Sequence, residues 1–402
     1  MNVLWISLRV PYDQVRHASG RIENYYIKKL IQEDSIDLKL ITFSKKSEIE
    51  IAKKDHFLYN IDSDIYLWDT SIRAKIERQL VKINPYDTYG GGTIPFYWSR
   101  INLSLKTLRF NPDVIILDWT EMLLFLPKFK EIFPNAKYIS IEEDVLLLNF
   151  QRQYEHCSKS LKKYILKRKY ERLRSLEIEQ LKECDLVVLN NPKDKKLVEG
   201  YGVRNTWCWS PYFQNLSSII TYKKKTKDIL YYGSMSRPEN HLSVMRLINK
   251  ILPKIKDPEV RLIILGNGPQ DSLIKLQSDR IIVTGFVDDI TPYFESALCL
   301  CAPLVLGAGV KIKIIESMSA GLIVLTNDIG IEGIPAVDRR DYLHCESNED
   351  FIKYLDLLLT DEIDVHVFSD NAKRFVKAEY DNEKDSSKFL SLLFDLTKGK
   401  RN

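Results

Sequence analysis

Several short apolar runs in this chain end in polar, glycine or proline residues and are followed by longer amphipathic stretches. That alternation restricts the fold to parallel sheets wrapped by helices, because a parallel strand needs a long crossover before its neighbour. In the first half the predicted strands are Val3–Ser7, Leu38–Phe43, Val114–Leu117, Tyr138–Ile141 and Leu186–Leu189. In the second half they are Ile229–Tyr232, Arg261–Leu265, Ile281–Thr284, Leu298–Ala302 and Ile323–Thr326. Two sets of five predict an α/β protein of two Rossmann-like, doubly wound domains. The length agrees, since 402 residues exceed the size at which one hydrophobic core stops growing.

Between the two sets, Trp207 to Asp228 holds Pro211, several aromatic residues and Lys223-Lys224-Lys225, and reads as a connection. The boundary is placed near residue 215, giving domains 1–214 and 215–380 and a final segment 381–402. Asp55 to Arg100, with Gly90-Gly91-Gly92 and Pro95, fits no clean strand-helix unit and reads as a loop. Phe368 to Leu396 reads as amphipathic helices around Tyr380 and Asp381.

A formal charge of +4 is small for this length and argues against a nucleic-acid partner. Cys157, Cys184, Cys208, Cys299, Cys301 and Cys345 include no C-x-x-C pair, and His17 and His156 sit in no cluster of ligand spacing, so no metal site is expected. The apolar run Val3 to Val10 lacks a basic flank and runs into Pro11, as a first buried strand would, and no later stretch approaches a membrane span. The expected compartment is the cytoplasm. Lys159 to Glu183 is helical in pattern and dense in lysine and arginine; a solvated face is the first reading, and contact with anionic lipid at the inner face of the membrane stays open.

The most informative stretch begins where the strand Leu298–Ala302 meets Pro303. It runs Gly307-Ala308-Gly309-Val310-Lys311-Ile312-Lys313-Ile314-Ile315-Glu316-Ser317-Met318-Ser319-Ala320-Gly321 and opens a helix. Glycines let backbone approach a ligand, and a helix start offers unpaired N–H groups at its positive end, so together they suit a diphosphate. Lys311 and Lys313 add charge. The Glu316 carboxylate, roughly one to two turns further in, can accept from two ribose hydroxyls.

This run resembles the donor loop of retaining family-four glycosyltransferases, in the branch with a G-x-G-x-K/R-x-K-x-x-E-x-M-x-x-G pattern. The resemblance extends through the second half: Tyr232-Gly233-Ser234-Met235-Ser236-Arg237-Pro238-Glu239-Asn240, Gly266-Asn267-Gly268-Pro269 and Thr284-Gly285-Phe286-Val287-Asp288-Asp289 follow in the family's order. It implies a GT-B fold, two Rossmann-like domains facing across a cleft, with a C-terminal helix crossing back onto the first domain. It also implies a UDP- or GDP-type sugar donor as substrate, with no separate cofactor and no metal. Lys311, Lys313 and Arg237 would contact phosphate, Glu316 the ribose, the backbone from Gly307 to Val310 the sugar diphosphate, and the backbone near Phe286 and Val287 the base. Gly233, Ser234, Asn240 and Gly266 belong to the glycine turns of the same site. Most family members carry two glutamates eight positions apart, and Ala308 stands at the first of these, so sugar specificity does not carry over.

In the first half the resemblance is thinner. Pro11 to Gly20 looks like the family's first loop, with Gly20 at the opening of its helix. Tyr138–Ile141 delivers Glu142-Glu143-Asp144, and Val114–Leu117 delivers Asp118 and Glu121. Glu143 and Asp118 are the candidate carboxylates for an acceptor hydroxyl, and caps of the following helices account for them equally well. Lys313 is the candidate for stabilising charge on the leaving diphosphate. The resulting expectation is a hexosyltransferase acting on a saccharide or lipid-linked glycan in bacterial glycoconjugate synthesis. A non-catalytic nucleotide-binding partner of the same fold and a sugar-nucleotide epimerase are the alternatives.

Overall fold

The structure is a computed structural model. It describes residues 1–398 apart from 14, 16, 17, 55–60, 85–93, 143, 144, 156, 159, 211, 224, 225 and 308. The chain divides into two compact units, Met1–Tyr212 with Asn382–Asn402, and Phe213–Asp381.

Unit 1 is built on seven parallel strands: β1 Asn2–Ser7, β2 Asp37–Ser44, β3 Asp62–Leu67, β4 Val114–Asp118, β5 Lys137–Glu142, β6 Leu186–Leu189 and β7 Thr206–Cys208. Their order is β3-β2-β1-β4-β5-β6-β7, so the winding reverses between β1 and β4. Both faces of this sheet are covered, which is why its strands read as continuous apolar runs rather than alternations. Leu4, Ile6, Ile115 and Leu117 enter the core on one face; Val3, Trp5, Val114 and Ile116 enter the core on the other. The final helix, Asn382–Lys398, belongs to unit 1. It sends Phe389 and Leu393 into the second of those cores, where Tyr26 and Trp209 stack with ring centroids 3.7 Å apart. Asp385 holds it there by accepting the Ser210 N–H at 2.7 Å.

Unit 2 repeats the plan with six strands: β8 Asp228–Tyr232, β9 Arg261–Leu265, β10 Ile281–Gly285, β11 Cys299–Ala302, β12 Val324–Thr326 and β13 Leu343–His344. The order is β10-β9-β8-β11-β12-β13, with the reversal between β8 and β11.

All ten strands expected from the sequence are present within a residue of their expected ends, and three more join them. The edge strand β3 lies inside the stretch read as a loop, which also contains the helix Ile72–Ile83 and the first part of the helix Ile94–Leu105; Gly90 to Gly92 lie outside the described residues. Its polar opening, Asp62-Ser63-Asp64, hides it from an apolar-run reading. The fold accepts these carboxylates because Lys39 on the neighbouring β2 reaches both, at 2.7 and 3.2 Å. The other two, β7 and β13, have three and two residues, too few to show a period.

Candidate donor site

In unit 2 the loops that leave the carboxyl ends of β8, β9, β10 and β11 form one surface at the sheet's reversal point, where doubly wound folds place ligands. Backbone pairing continues past the strand ends. Gly233 N–H donates to Leu265 O (2.9 Å), Met235 N–H to Asn267 O (2.8 Å) and Gly266 N–H to Gly285 O (2.9 Å). Gly266 is fixed as glycine by two independent constraints: its φ is +145°, and a Cβ there would lie 1.7 Å from the carbonyl oxygen of Gly233. Gly233, at φ +149°, is confined by its backbone conformation, and a Cβ there would come 2.9 Å from the Lys313 ammonium, which would have to shift.

Lys313 stands in the first turn of the helix Ile312–Ala320. Its Nζ donates to Asn240 Oδ1 at 2.6 Å and to Tyr231 Oη at 3.3 Å, and lies 4.5 Å from the centroid of the Tyr231 ring. Tyr231 itself donates to the same Asn240 oxygen at 3.0 Å, while the Asn240 amide donates to Ser234 O at 2.8 Å. Among the described residues no carboxylate pairs with Lys313. Burial lowers its pKa to about 7; the distant Glu239 charge opposes that, and Lys311 and Arg237 add to it. The amine is therefore poised to charge when an anion arrives.

The helix above it begins without a side-chain cap; the Ile314 N–H donates to Lys311 O at 2.8 Å, and the N–H groups of Ile312 and Lys313 keep their donor capacity. Gly321, at φ +80°, closes its far end. Gly307, Gly309 and Val310 form the approach to that helix start, with Gly307 exposed and the other two half-buried; Ala308 lies outside the described residues. Lys311 has a different setting from Lys313. Its side chain is only 10% exposed, its Nζ donates to Gly309 O at 2.5 Å, and Glu332 stands 3.8 Å away. It braces the loop from within.

Glu316 is 2% exposed, and one of its carboxylate oxygens accepts the Gln214 N–H at 3.2 Å. Ser319, one turn on, accepts the Leu216 N–H at 3.0 Å, so this helix pins residues 214–216, where the chain enters unit 2. Arg237 caps the helix Pro238–Arg246 through backbone alone; its side chain is 59% exposed and within 3.7 Å of Glu239. Phe286, 56% exposed, and the half-buried Val287 follow β10.

In unit 1, Gly20 is buried in the helix Ala18–Ile31. Asp118 closes β4 at 1% exposure, accepting the Trp5 indole N–H at 3.3 Å, and burial raises its pKa. Glu142 is equally buried, takes hydrogen bonds from Ser140 (2.6 Å) and Thr120, and its pKa also rises through burial. Glu143, Asp144, His17 and His156 lie outside the described residues. Among the described residues no group of three His, Cys, Asp or Glu side chains is placed to hold a metal, and no helix is long and apolar enough to cross a membrane.

The surface around Lys313 thus joins an uncapped helix start, the glycine turns after β8 and β9, and a lysine that among the described residues has no carboxylate partner. Residues 226–361 match the family model of glycosyl transferases group 1. The matched stretch lies wholly within unit 2. A stretch of 124 residues is 30% identical to the phosphatidyl-myo-inositol mannosyltransferase of Mycolicibacterium smegmatis, covering 29% of this chain and 31% of that protein. An uncharacterised protein from the cps region of Klebsiella pneumoniae is 23% identical over 168 residues, 39% of this chain and 43% of that one. The chain thus aligns with about a third of the length of the mannosyltransferases it matches.

Likeness of fold reaches further than likeness of sequence. The Anabaena protein HepE, solved with UDP, superposes with a TM-score of 0.68 at 12% identity, over 98% of this chain and 100% of that one. The sucrose-phosphate synthase of Thermosynechococcus elongatus gives 0.70 at 13% identity, over 99% and 100%. The fold is the GT-B fold, with two parallel-sheet, Rossmann-like domains.

Proposed function

We propose that this chain is a retaining glycosyltransferase that moves a hexose-type sugar from a nucleoside diphosphate to a saccharide or lipid-linked acceptor in bacterial polysaccharide or glycoconjugate synthesis. The observation that carries the reading is the Lys313 nest: an amine near neutrality, held by Asn240 and Tyr231 beside an uncapped helix start and against Gly233. A diphosphate there meets backbone N–H groups and converts Lys313 to its cation.

In this reading the bond between the sugar's anomeric carbon and the diphosphate oxygen breaks while the acceptor oxygen bonds to the same face. The acceptor proton passes to the departing diphosphate. Negative charge grows on the leaving group along that path. Lys313 and the helix start stabilise it, joined by Arg237 once it turns inward from its exposed pairing with Glu239, and their interaction strengthens as the charge develops. Glu316, sunk in the helix, supports the ribose side of the site while anchoring Gln214. Gly266 and Ser234 shape the floor, and Phe286 and Val287 supply the border for the base. Asp118, enclosed by Trp5 and β4, acts at a distance by fixing the end of that strand.

Two kinds of support are independent of this geometry. HepE is solved with UDP and with UDP-glucose, which favours a uridine nucleotide, and the mannosyltransferase relatives are named for a hexose and a lipid acceptor. A lipid-linked acceptor would bring the chain to the inner face of a membrane.

A thermal-unfolding panel with UDP, GDP, UDP-glucose and GDP-mannose tests the reading, because a ligand that binds only the folded state raises its stability by mass action. A shift with one nucleotide family that disappears in Lys313→Ala is expected. No shift with any of the four, or an undiminished shift in Lys313→Ala, would refute it.

A further inference from the structure

The carboxyl end of the unit 1 sheet carries a second set of unused donors. Arg9, two residues past β1, places its guanidinium carbon 4.8 Å from the Trp68 ring centroid and 5.7 Å from that of Trp119. Lys45, just past β2, holds its ammonium 5.4 Å from the Trp68 ring. Trp68 follows β3 and Trp119 follows β4, so four neighbouring strand ends converge on one spot beside the β1/β4 reversal. The backbone of Arg9 is clamped: Ser7 and Thr42 both donate to its carbonyl oxygen.

None of these donors is satisfied within the described protein. Arg9 and Lys45 form no ion pair there; the Arg9 charge acts on Glu121 without a salt bridge. The indole N–H groups of Trp68 and Trp119 are buried with no acceptor. Trp119 also holds φ +79°, a conformation an L side chain rarely adopts and one that persists only where the surroundings impose it. Buried donors without acceptors are rare in folded proteins. Two cations and two indole donors call for an acceptor-rich anion, and two partly exposed indole rings suit the C–H face of a pyranose.

We propose that unit 1 takes an anionic saccharide, a sugar carrying a carboxylate or a phosphate ester, with Arg9 and Lys45 on the anionic group and Trp68 and Trp119 against the ring. This rests on the glycosyltransferase reading in one respect, that the bound sugar is the acceptor. The guanidinium fork selects a planar or bidentate anion, and the indoles select an attached sugar over a bare ion.

Titration calorimetry and tryptophan fluorescence of the full chain with sodium glucuronate, glucose 6-phosphate, glucose and inorganic phosphate test it. At least one charged sugar is expected to bind tenfold or more tightly than glucose and than inorganic phosphate, and whichever charged sugar binds tighter identifies the anion as carboxylate or phosphate ester. Arg9→Ala should weaken that binding tenfold or more. Trp68→Phe keeps a ring and removes the indole donor, and should weaken it several-fold. Should Arg9→Ala fail to fold, Arg9→Lys, which keeps the charge and loses the fork, should still weaken binding several-fold. Equal binding of glucose, phosphate binding as tight as the sugar phosphate, unchanged affinity in the Arg9 variants, or no binding at tens of millimolar would each overturn the proposal. UDP affinity, measured on the same samples, should stay within twofold in Arg9→Ala. Absence of binding by UDP, GDP and both sugar nucleotides in the unaltered chain would sink the donor reading and leave the anionic-sugar site standing.

Discussion

Donor binding should take up a proton, and the amount follows from the setting of Lys313. Burial holds its pKa at about 7, whereas a lysine in water titrates near about 10.4. At pH 8 the free protein therefore carries a proton on Lys313 in only roughly a tenth of molecules. A diphosphate beside the ammonium restores the charged form, so binding of UDP-glucose at pH 8 should take up about 0.9 proton, against about 0.1 at pH 6. Affinity should fall about 30-fold between pH 6 and 8.5, a loss of roughly 2 kcal/mol. UDP-glucose is the ligand of choice because its diphosphate has no titrating group in that interval. Calorimetry in two buffers of different ionisation enthalpy reads the proton count directly, and Lys313→Met, similar in length but uncharged, should abolish both the uptake and the pH slope. The sign for folding is separate. Because the folded pKa lies below the unfolded one, the unfolded chain binds more protons between pH 7 and about 10.4, and unit 2 should gain stability as pH rises through that window. Uptake below about 0.2 proton at pH 8, with affinity flat from pH 6 to 8.5, would refute the assignment of Lys313 to the diphosphate.

Gly266→Ala should destabilise unit 2 by more than about 3 kcal/mol or prevent its folding, read by urea denaturation, because the new Cβ would fall 1.7 Å from Gly233 O. Glu316→Gln keeps an acceptor for the Gln214 N–H and should retain the fold while weakening UDP binding tenfold or more; Glu316→Ala should lose that binding and also about 1–3 kcal/mol of stability. A Glu316→Gln protein with unaltered UDP affinity would remove Glu316 from the site. Asp118→Asn should stabilise unit 1 by of order 2 kcal/mol at pH 8. A carboxyl whose folded pKa is raised loses stability as pH climbs above its unfolded value, so this gain should shrink to nothing near pH 4; thermal unfolding at the two pH values shows whether it does.

Sequence alone determined the strands that are buried on both faces, because a strand covered by helices on each side must be apolar along its whole length. It also determined the helix start after β11 and the glycines around it, since Gly233 and Gly266 take conformations that other residues rarely adopt. The edge strand β3 was illegible, since its carboxylates are tolerated only because Lys39 from the next strand meets them. The different characters of the two lysines were illegible too. Lys311 and Lys313 are two residues apart and chemically identical, and only the tertiary structure turns one to Gly309 and Glu332 and buries the other against Tyr231 and Asn240, from strand and helix some 80 positions earlier. The same holds for Arg9, Trp68 and Trp119, whose chain separation conceals that parallel strands deliver them to one edge. Local pattern records which segments must be buried; charge state and convergence depend on neighbours that the chain order does not bring together.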